Sequence, residues 1–358
     1  MRRIKNGFTL GSRFAAVRGE ISMNFFGPHR LASYLVIMAL AISAASLPGS
    51  SYHLVKQIRF DAAKGGHEYY DYLTLDAAKR RLYLSHGTEV KVVDADTGAL
   101  VGNIPDMKAN HGIVLVDEVG KGFITDGGDD SVVIFDLKTL KVTGKVKTVA
   151  EPDCIIYDPS SKDIFTFNGH GHAMTVIDAS SAAVLAVVPM GGTPESAVAD
   201  GKGMISRAVK ARWSITPAGS PTAMAMDREH RRLFIAGRDP QFLVVMDADT
   251  GKVIQSFPIS SGVDADAYDP ETGLLFASTR DGLIHIFHEE SPDNFTALEP
   301  VRTQYGAKTM ALDPKTHNLY LTTSDFGAPP PPTPERPHPQ PDPMDRIPGT
   351  FRLLIYAR

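Results

Sequence analysis

The residues best placed for chemistry in this chain are charged groups that recur at one point of a repeated pattern. Short apolar stretches ending in Asp appear at Asp76, Asp117, Asp158, Asp200, Asp227, Asp269 and Asp313. Five residues before these markers stand, in order, Asp71, Gly112, Asp153, Glu195, Thr222, Asp264 and Lys308. If every repeat starts on an equivalent strand, these side chains converge as a broken ring of carboxylates with Lys308 among them. Such a ring would draw in cations or a polar ligand and repel phosphates. Crowding of like charges would also raise the pKa of one carboxyl. The same acids equally suit a plainer role as caps on the turns before the strands.

Two histidines join the set. His67 and His111 lie in successive loops ahead of marker strands, so they are expected at the same end as Asp71. The candidate ligand-binding residues are therefore Asp71, His67, His111, Asp153, Glu195, Asp264 and Lys308. A second pair, His170 and His172, sits in Asn168-Gly-His-Gly-His172, with His86 at a comparable point two repeats earlier. Imidazoles two apart in a Gly-rich loop can bind Zn or Cu. No further Cys or His completes a four-ligand set here, so neither a metal nor a cofactor is expected. The chain also lacks a Gly-rich phosphate loop, a Gly-x-Ser-x-Gly elbow, a Cys-x-x-Cys-His haem attachment and a His-Glu-x-x-His zinc motif. Asp94-Ala-Asp-Thr-Gly98 and Asp247-Ala-Asp-Thr-Gly251 lack the later Glu of a calcium loop and recur at the same point of the repeat, which reads as turn chemistry.

The elements that would position these groups follow from the marker spacing. Successive aspartates are 41, 41, 42, 27, 42 and 44 residues apart. A fixed period of this size means one supersecondary unit per repeat. The fifth repeat is the clearest: Ala223–Asp227, Arg232–Ala236, Phe242–Asp247 and Lys252–Ile259 read as four short strands separated by polar turns. No sustained 3.6-residue apolar period competes. Four-stranded units in a ring make a β-propeller. The 27-residue interval lacks a Val-x-Val-x-Asp third strand, and Ser206–Ile215 resembles an outer fourth strand. The expectation is all-β: a seven-bladed β-propeller of six full four-stranded blades and one truncated blade. The last repeat lacks a fourth strand and His53–Phe60 lacks a blade, so the ring should close by pairing His53–Phe60 with Phe351–Tyr356, leaving no open edge.

Arg81-Leu-Tyr-Leu84, Val90-Lys-Val-Val-Asp-Ala-Asp-Thr-Gly98 and Asp313-Pro-Lys-Thr-His-Asn-Leu-Tyr320 resemble the YVTN-type propeller repeat. Residues 52–358 are similar to secreted YncE-like proteins. The resemblance implies a fold more than an activity, because propellers host many unrelated functions.

Residues 1–51 do not fit the repeat. An uncharged apolar run, Leu31–Leu47, follows His29-Arg30 and ends in small residues, the layout of a secretory signal peptide, with Met23 as an alternative start. Its 17 residues are short for a membrane span. The organisation expected is thus a leader over 1–51 and a propeller over 52–358, exported to the periplasm or beyond, monomeric, with no transmembrane span after cleavage. The single Cys154 can form no internal disulfide. A net charge of −4 leaves no basic footprint for nucleic acid. A proline-rich insertion, 328–348, interrupts the last blade between its second and third strands and reads as an extended, solvated polyproline loop, either a spacer or a docking segment. The functional reading is a non-catalytic scaffold for an envelope protein, polymer or small ligand. The alternatives are a metal-dependent lactonase- or lyase-like enzyme and, by resemblance, a DNA-binding protein.

Overall fold

The structure is a computed structural model describing residues 51–65, 68–203, 208–334 and 336–358. The expected leader (apart from Ser51) and His67 lie outside the described residues. After strand β1 (His53–Arg59), the first blade runs β2 (Leu73–Asp76), β3 (Arg81–His86), β4 (Glu89–Asp94) and β5 (Leu100–Ile104). The second is β6 (Asn110–Val116), β7 (Lys121–Asp126), β8 (Ser131–Asp136) and β9 (Val142–Lys147), and the third β10 (Pro152–Asp158), β11 (Asp163–Asn168), β12 (Ala173–Asp178) and β13 (Val184–Pro189). The fourth is β14 (Pro221–Asp227), β15 (Arg232–Arg238), β16 (Gln241–Asp247) and β17 (Val253–Pro258). The fifth is β18 (Val263–Asp269), β19 (Leu274–Thr279), β20 (Leu283–Ser291) and β21 (Asn294–Ala297), with β22 (Val301–Arg302) beside β20. The sixth joins β23 (Met310–Leu312), β24 (Leu319–Thr323) and β25 (Arg352–Ala357) to β1. All pairings are antiparallel between neighbours. Among the described residues, no helix is long and apolar enough to cross a membrane.

The ring is sealed by its first strand. β1 pairs with β25 from His53 opposite Ala357 to Arg59 opposite Arg352. The marker aspartates are turn caps. Asp76 accepts the Lys79 N–H, Asp227 those of Glu229 and His230, and Asp313 that of Lys315. The aspartates ending the third strands do the same work one hairpin later: Asp94, Asp136 and Asp247 each accept the N–H and hydroxyl of the Thr three residues on. The repeated Asp-x-x-Thr therefore terminates strands as turn chemistry.

The blade count corrects the expectation of seven. The described residues form six sheets. Among the described residues from 190 to 220, no strand forms. The marker segment of this repeat still reaches inward, since Ser196 and Ala197 line the central channel beside the inner strands of the six blades. Among the described residues it has no neighbouring strand to pair with and stays irregular, because a lone extended segment leaves its backbone groups without a ladder. The apolar core records the same break. Side chains of adjacent blades mesh at the other junctions, as Tyr83 and Val92 do with Ile124 and Phe135, or Phe276 and Ile286 with Leu319 and Leu354. Between the third and fourth blades the core divides. One cluster centres on Phe165, Phe167 and Val176, the other on Ile235, Val244 and Met246.

Candidate functional site

The inner strands start at the same mouth of the channel, and five of the six deliver a charged residue there, at or just before the strand's first residues. Asp71 precedes β2, His111 lies in β6, Asp153 in β10 and Asp264 in β18, while Lys308 precedes β23. The structure brings these five together. Lys308 Nζ donates to Asp71 Oδ1 at 2.9 Å and also to Asp264. His111 Nδ1 lies 2.8 Å from Asp71 Oδ2 and 3.4 Å from Asp153 Oδ1. Asp71 is fixed from behind, its N–H donating to Ser85 Oγ at 2.6 Å and its carbonyl accepting the Thr309 hydroxyl at 2.6 Å.

The other positions of the ring have different fates. Gly112 is required by space: a Cβ there would stand 2.8 Å from the Ile155 side chain and 2.9 Å from the Asp153 carbonyl. Thr222 is buried and donates to the Ser220 carbonyl. Glu195, on the irregular segment, is half-buried, and the Tyr72 hydroxyl donates to its backbone carbonyl at 3.4 Å. The histidines of the second set go separate ways. His170 pairs with Glu151 at 2.8 Å on the surface, whereas His86 is buried, 2.8 Å from Glu68 and stacked on Phe351.

Charge balance explains the electrostatics. Burial alone would raise the pKa of Asp71, but the Lys308 ammonium and the His111 hydrogen bond outweigh it and hold this carboxyl well below the usual range. Burial would likewise lower Lys308, yet Asp264 and Asp71 keep its ammonium above the ordinary lysine value. His111 is raised because its bond to Asp71 exceeds the cost of burial. Asp153 moves the opposite way. Burial and the neighbouring Asp71 charge push it up to about 7. Glu195 is also raised, mainly by burial. Burial pushes the Cys154 thiol up to about 12, so it is an inert buried thiol.

Asp71, His111 and Asp153 each offer a ligand atom within 4.8 Å of the others, as do Asp227, His230 and Glu289 elsewhere. In the first trio the Asp71 carboxylate already takes the Lys308 ammonium, which repels a metal ion at that place.

Several mouth residues escape a reading keyed to the loops before inner strands. Arg238, at the end of β15, pairs with Asp264. The Tyr69 hydroxyl donates to Asp71 at 2.8 Å and lies 3.2 Å from His111. Arg238 occupies the turn after a second strand, which opens on the same face, so the repeat index could have found it. The proline-rich insertion also belongs to the mouth. It folds back as a strap, pinned at its base by an antiparallel bridge between Phe326 and Arg346 and by the Gly327 N–H donating to the Asp345 carbonyl at 2.8 Å. The Tyr305 hydroxyl donates to the Pro341 carbonyl at 2.7 Å. Arg346 stacks over the Tyr69 and Tyr70 rings at 5.2 and 5.1 Å. The expectation of a freely solvated loop therefore holds only for its exposed prolines.

No protein-family model and no curated protein sequence matches the chain. Among solved structures, a chain in the crystal structure of the mitotic checkpoint complex aligns with a TM-score of 0.67 at 11% identity, over 92% of this chain and 99% of that one. The RRP9 WD40 repeats align with a TM-score of 0.63 at 7% identity, over 86% and 98%. At such identities the likeness is one of fold. The chain has an all-β, β-propeller fold.

Proposed function

We propose that the chain is an exported, non-catalytic binding scaffold of the YVTN-repeat, YncE-like kind, recognising a polar ligand or protein partner of the cell envelope at the channel mouth. One observation carries this reading: the charged groups of the mouth neutralise one another. Lys308 lies between Asp71 and Asp264, Arg238 takes the other side of Asp264, and His111 rests on Asp71. A nucleophile or general base needs a side chain free to meet its substrate, and Asp71, Asp264, Lys308 and His111 are engaged with one another, which leaves Asp153 and Glu195 as the groups open to a ligand. A rigid, preformed rim of donors and acceptors suits recognition, because little ordering cost is left to binding. Export is supported by the leader-like composition of residues 1–51. A chain of similar fold occurs in a multiprotein complex, which agrees with a scaffold role.

The test compares immobilised wild type with Asp153→Asn, Glu195→Gln and a chain lacking residues 328–343. Saturable retention of one envelope component, weakened by these changes, is the expected result. Equal retention by all four proteins would refute the mouth as the recognition face.

A second reading, a cation-dependent hydrolase or lyase, is favoured by the convergence of Asp71, His111 and Asp153. Elemental analysis after exhaustive dialysis decides it. A stoichiometric divalent ion would displace the scaffold reading.

A further inference from the structure

The junction between the third and fourth blades holds a cavity of about 270 Å³. It exists because the 27-residue repeat supplies no sheet there, and an irregular segment covers two blade faces that are elsewhere sealed by a neighbour. Its wall is apolar, with Phe167, Met174, Met190 and Met224 the largest contributors and Val209 on the covering segment. The pocket opens to solvent beside the exposed residues 208–211, and its mainly apolar floor favours an apolar guest over water. Methionine walls are deformable and accept unbranched guests. The volume lies at the small end of ligand pockets, enough for one chain and too small for a fused-ring ligand or a two-chain lipid. One cation stands at the rim. Lys210 is exposed, lines the opening, and has no side-chain partner among the described residues.

We propose that this cavity binds a single acyl chain with an anionic head group, the chain lying among the methionines and the carboxylate at Lys210. The cavity adjoins the central channel and shares Ile156, Ser196, Ala197 and Met224 with it, but none of the charged mouth residues lines it.

The chain's one tryptophan, Trp213, lies on the same covering segment and reports on it. Titration of the full chain with decanoate, below its micelle concentration, should change Trp213 fluorescence saturably, with calorimetry giving the same midpoint. Octanoate and hexanoate should bind progressively more weakly, by about fourfold for each methylene removed. Lys210→Gln, a surface change that spares the fold, should weaken decanoate about fivefold and leave decanol unaffected. Val188→Phe should fill the cavity and abolish binding of both. If that variant fails to fold, the chain-length series on wild type still decides. Vesicles of dioleoylphosphatidylglycerol separate the two sources of such a chain. Protein remaining in the supernatant assigns a free acid, and sedimentation with vesicles that decanoate reverses assigns a membrane lipid's chain to the same cavity. No saturable response to decanoate, or an affinity indifferent to chain length, would overturn the proposal. Equal weakening of decanoate and decanol by Lys210→Gln would overturn the head-group assignment.

Discussion

Lys308 and Asp71 form a buried ion pair at 2.9 Å although 237 residues separate them, so the sixth blade grips the first at the channel mouth. The same ammonium reaches Asp264 of the fifth blade. Lys308→Met would remove the ammonium that two buried carboxylates share, leaving Asp71 to His111 and Asp264 to Arg238. Loss of one partner of such a network costs about 3–5 kcal/mol, so urea unfolding should shift to a much lower midpoint. A change below about 1 kcal/mol would mean that water replaces the ammonium without penalty, within the range of an exposed pair.

Asp153 makes stability depend on pH in a direction opposite to that of Asp71. A carboxyl raised to about 7 in the fold binds its proton more tightly there than in the unfolded chain. Its contribution is complete below the unfolded value of about 3.9 and is lost as pH climbs through 7. Asp71, held low, contributes above about 3.9 and loses that contribution in acid. Asp153→Asn should therefore gain on wild type between pH 4 and 7, by at most about 1.4 kcal/mol per pH unit. Parallel stability profiles for the two proteins would contradict this.

Asp266 is a second carboxyl at odds with ionisation. It sits in β18, where burial outweighs a weak backbone contact from Ala236 and raises its pKa well above the ordinary value. Asp266→Asn removes the ionisable group while keeping the shape. At pH 8 the variant should melt higher than wild type, and the gap should close near pH 4, where both side chains are neutral. A variant that melts lower throughout would show that the carboxyl has a partner the amide cannot replace.

The strap should open locally when its tether is cut. Tyr305→Phe removes the bond to the Pro341 carbonyl, and a net hydrogen bond of this type contributes about 0.5–1.5 kcal/mol. Amide exchange around residues 340–347 should quicken several-fold while the blades are unchanged. Unaltered exchange would show that the Arg346 stacking alone holds the strap.

Gly251 faces Trp213 with no room for a methyl group. A Cβ there would lie 2.2 Å from the indole, and the backbone has φ of +70°. Gly251→Ala should cost about 1–3 kcal/mol for the backbone alone and should shift Trp213 emission as the ring is displaced. Unchanged emission would mean that the covering segment does not rest on the fourth blade.

Much of the fold was legible because one residue type does one job in each repeat. Marker aspartates cap the first hairpin of a blade, so their spacing counts repeats without reference to contacts. The mouth residues followed from the same index, since a fixed offset from the cap lands at the start of each inner strand. Asp71, Asp153, Asp264 and Lys308 meet for that reason, and His111 joins them from one position earlier than the offset, beside Gly112. The blade count failed where the index continued and the sheet did not. Asp200 keeps its place in the period, and Lys202 still donates its N–H to it, but a cap cannot make a blade when the strands it should serve are missing. Arg346 was illegible for the opposite reason. It belongs to an insertion with no counterpart in any repeat, and its position depends on the Tyr69 and Tyr70 rings, which are distant in sequence.

Pairing β1 with β25 also orders events in time. The strand made first must wait for the strand made last, so the polypeptide stays unlatched until residues 352–357 have been synthesised. Topologies dominated by such distant pairings fold slowly. On the export proposed above, that delay would leave the ring open for threading through a translocation pore until β25 is made.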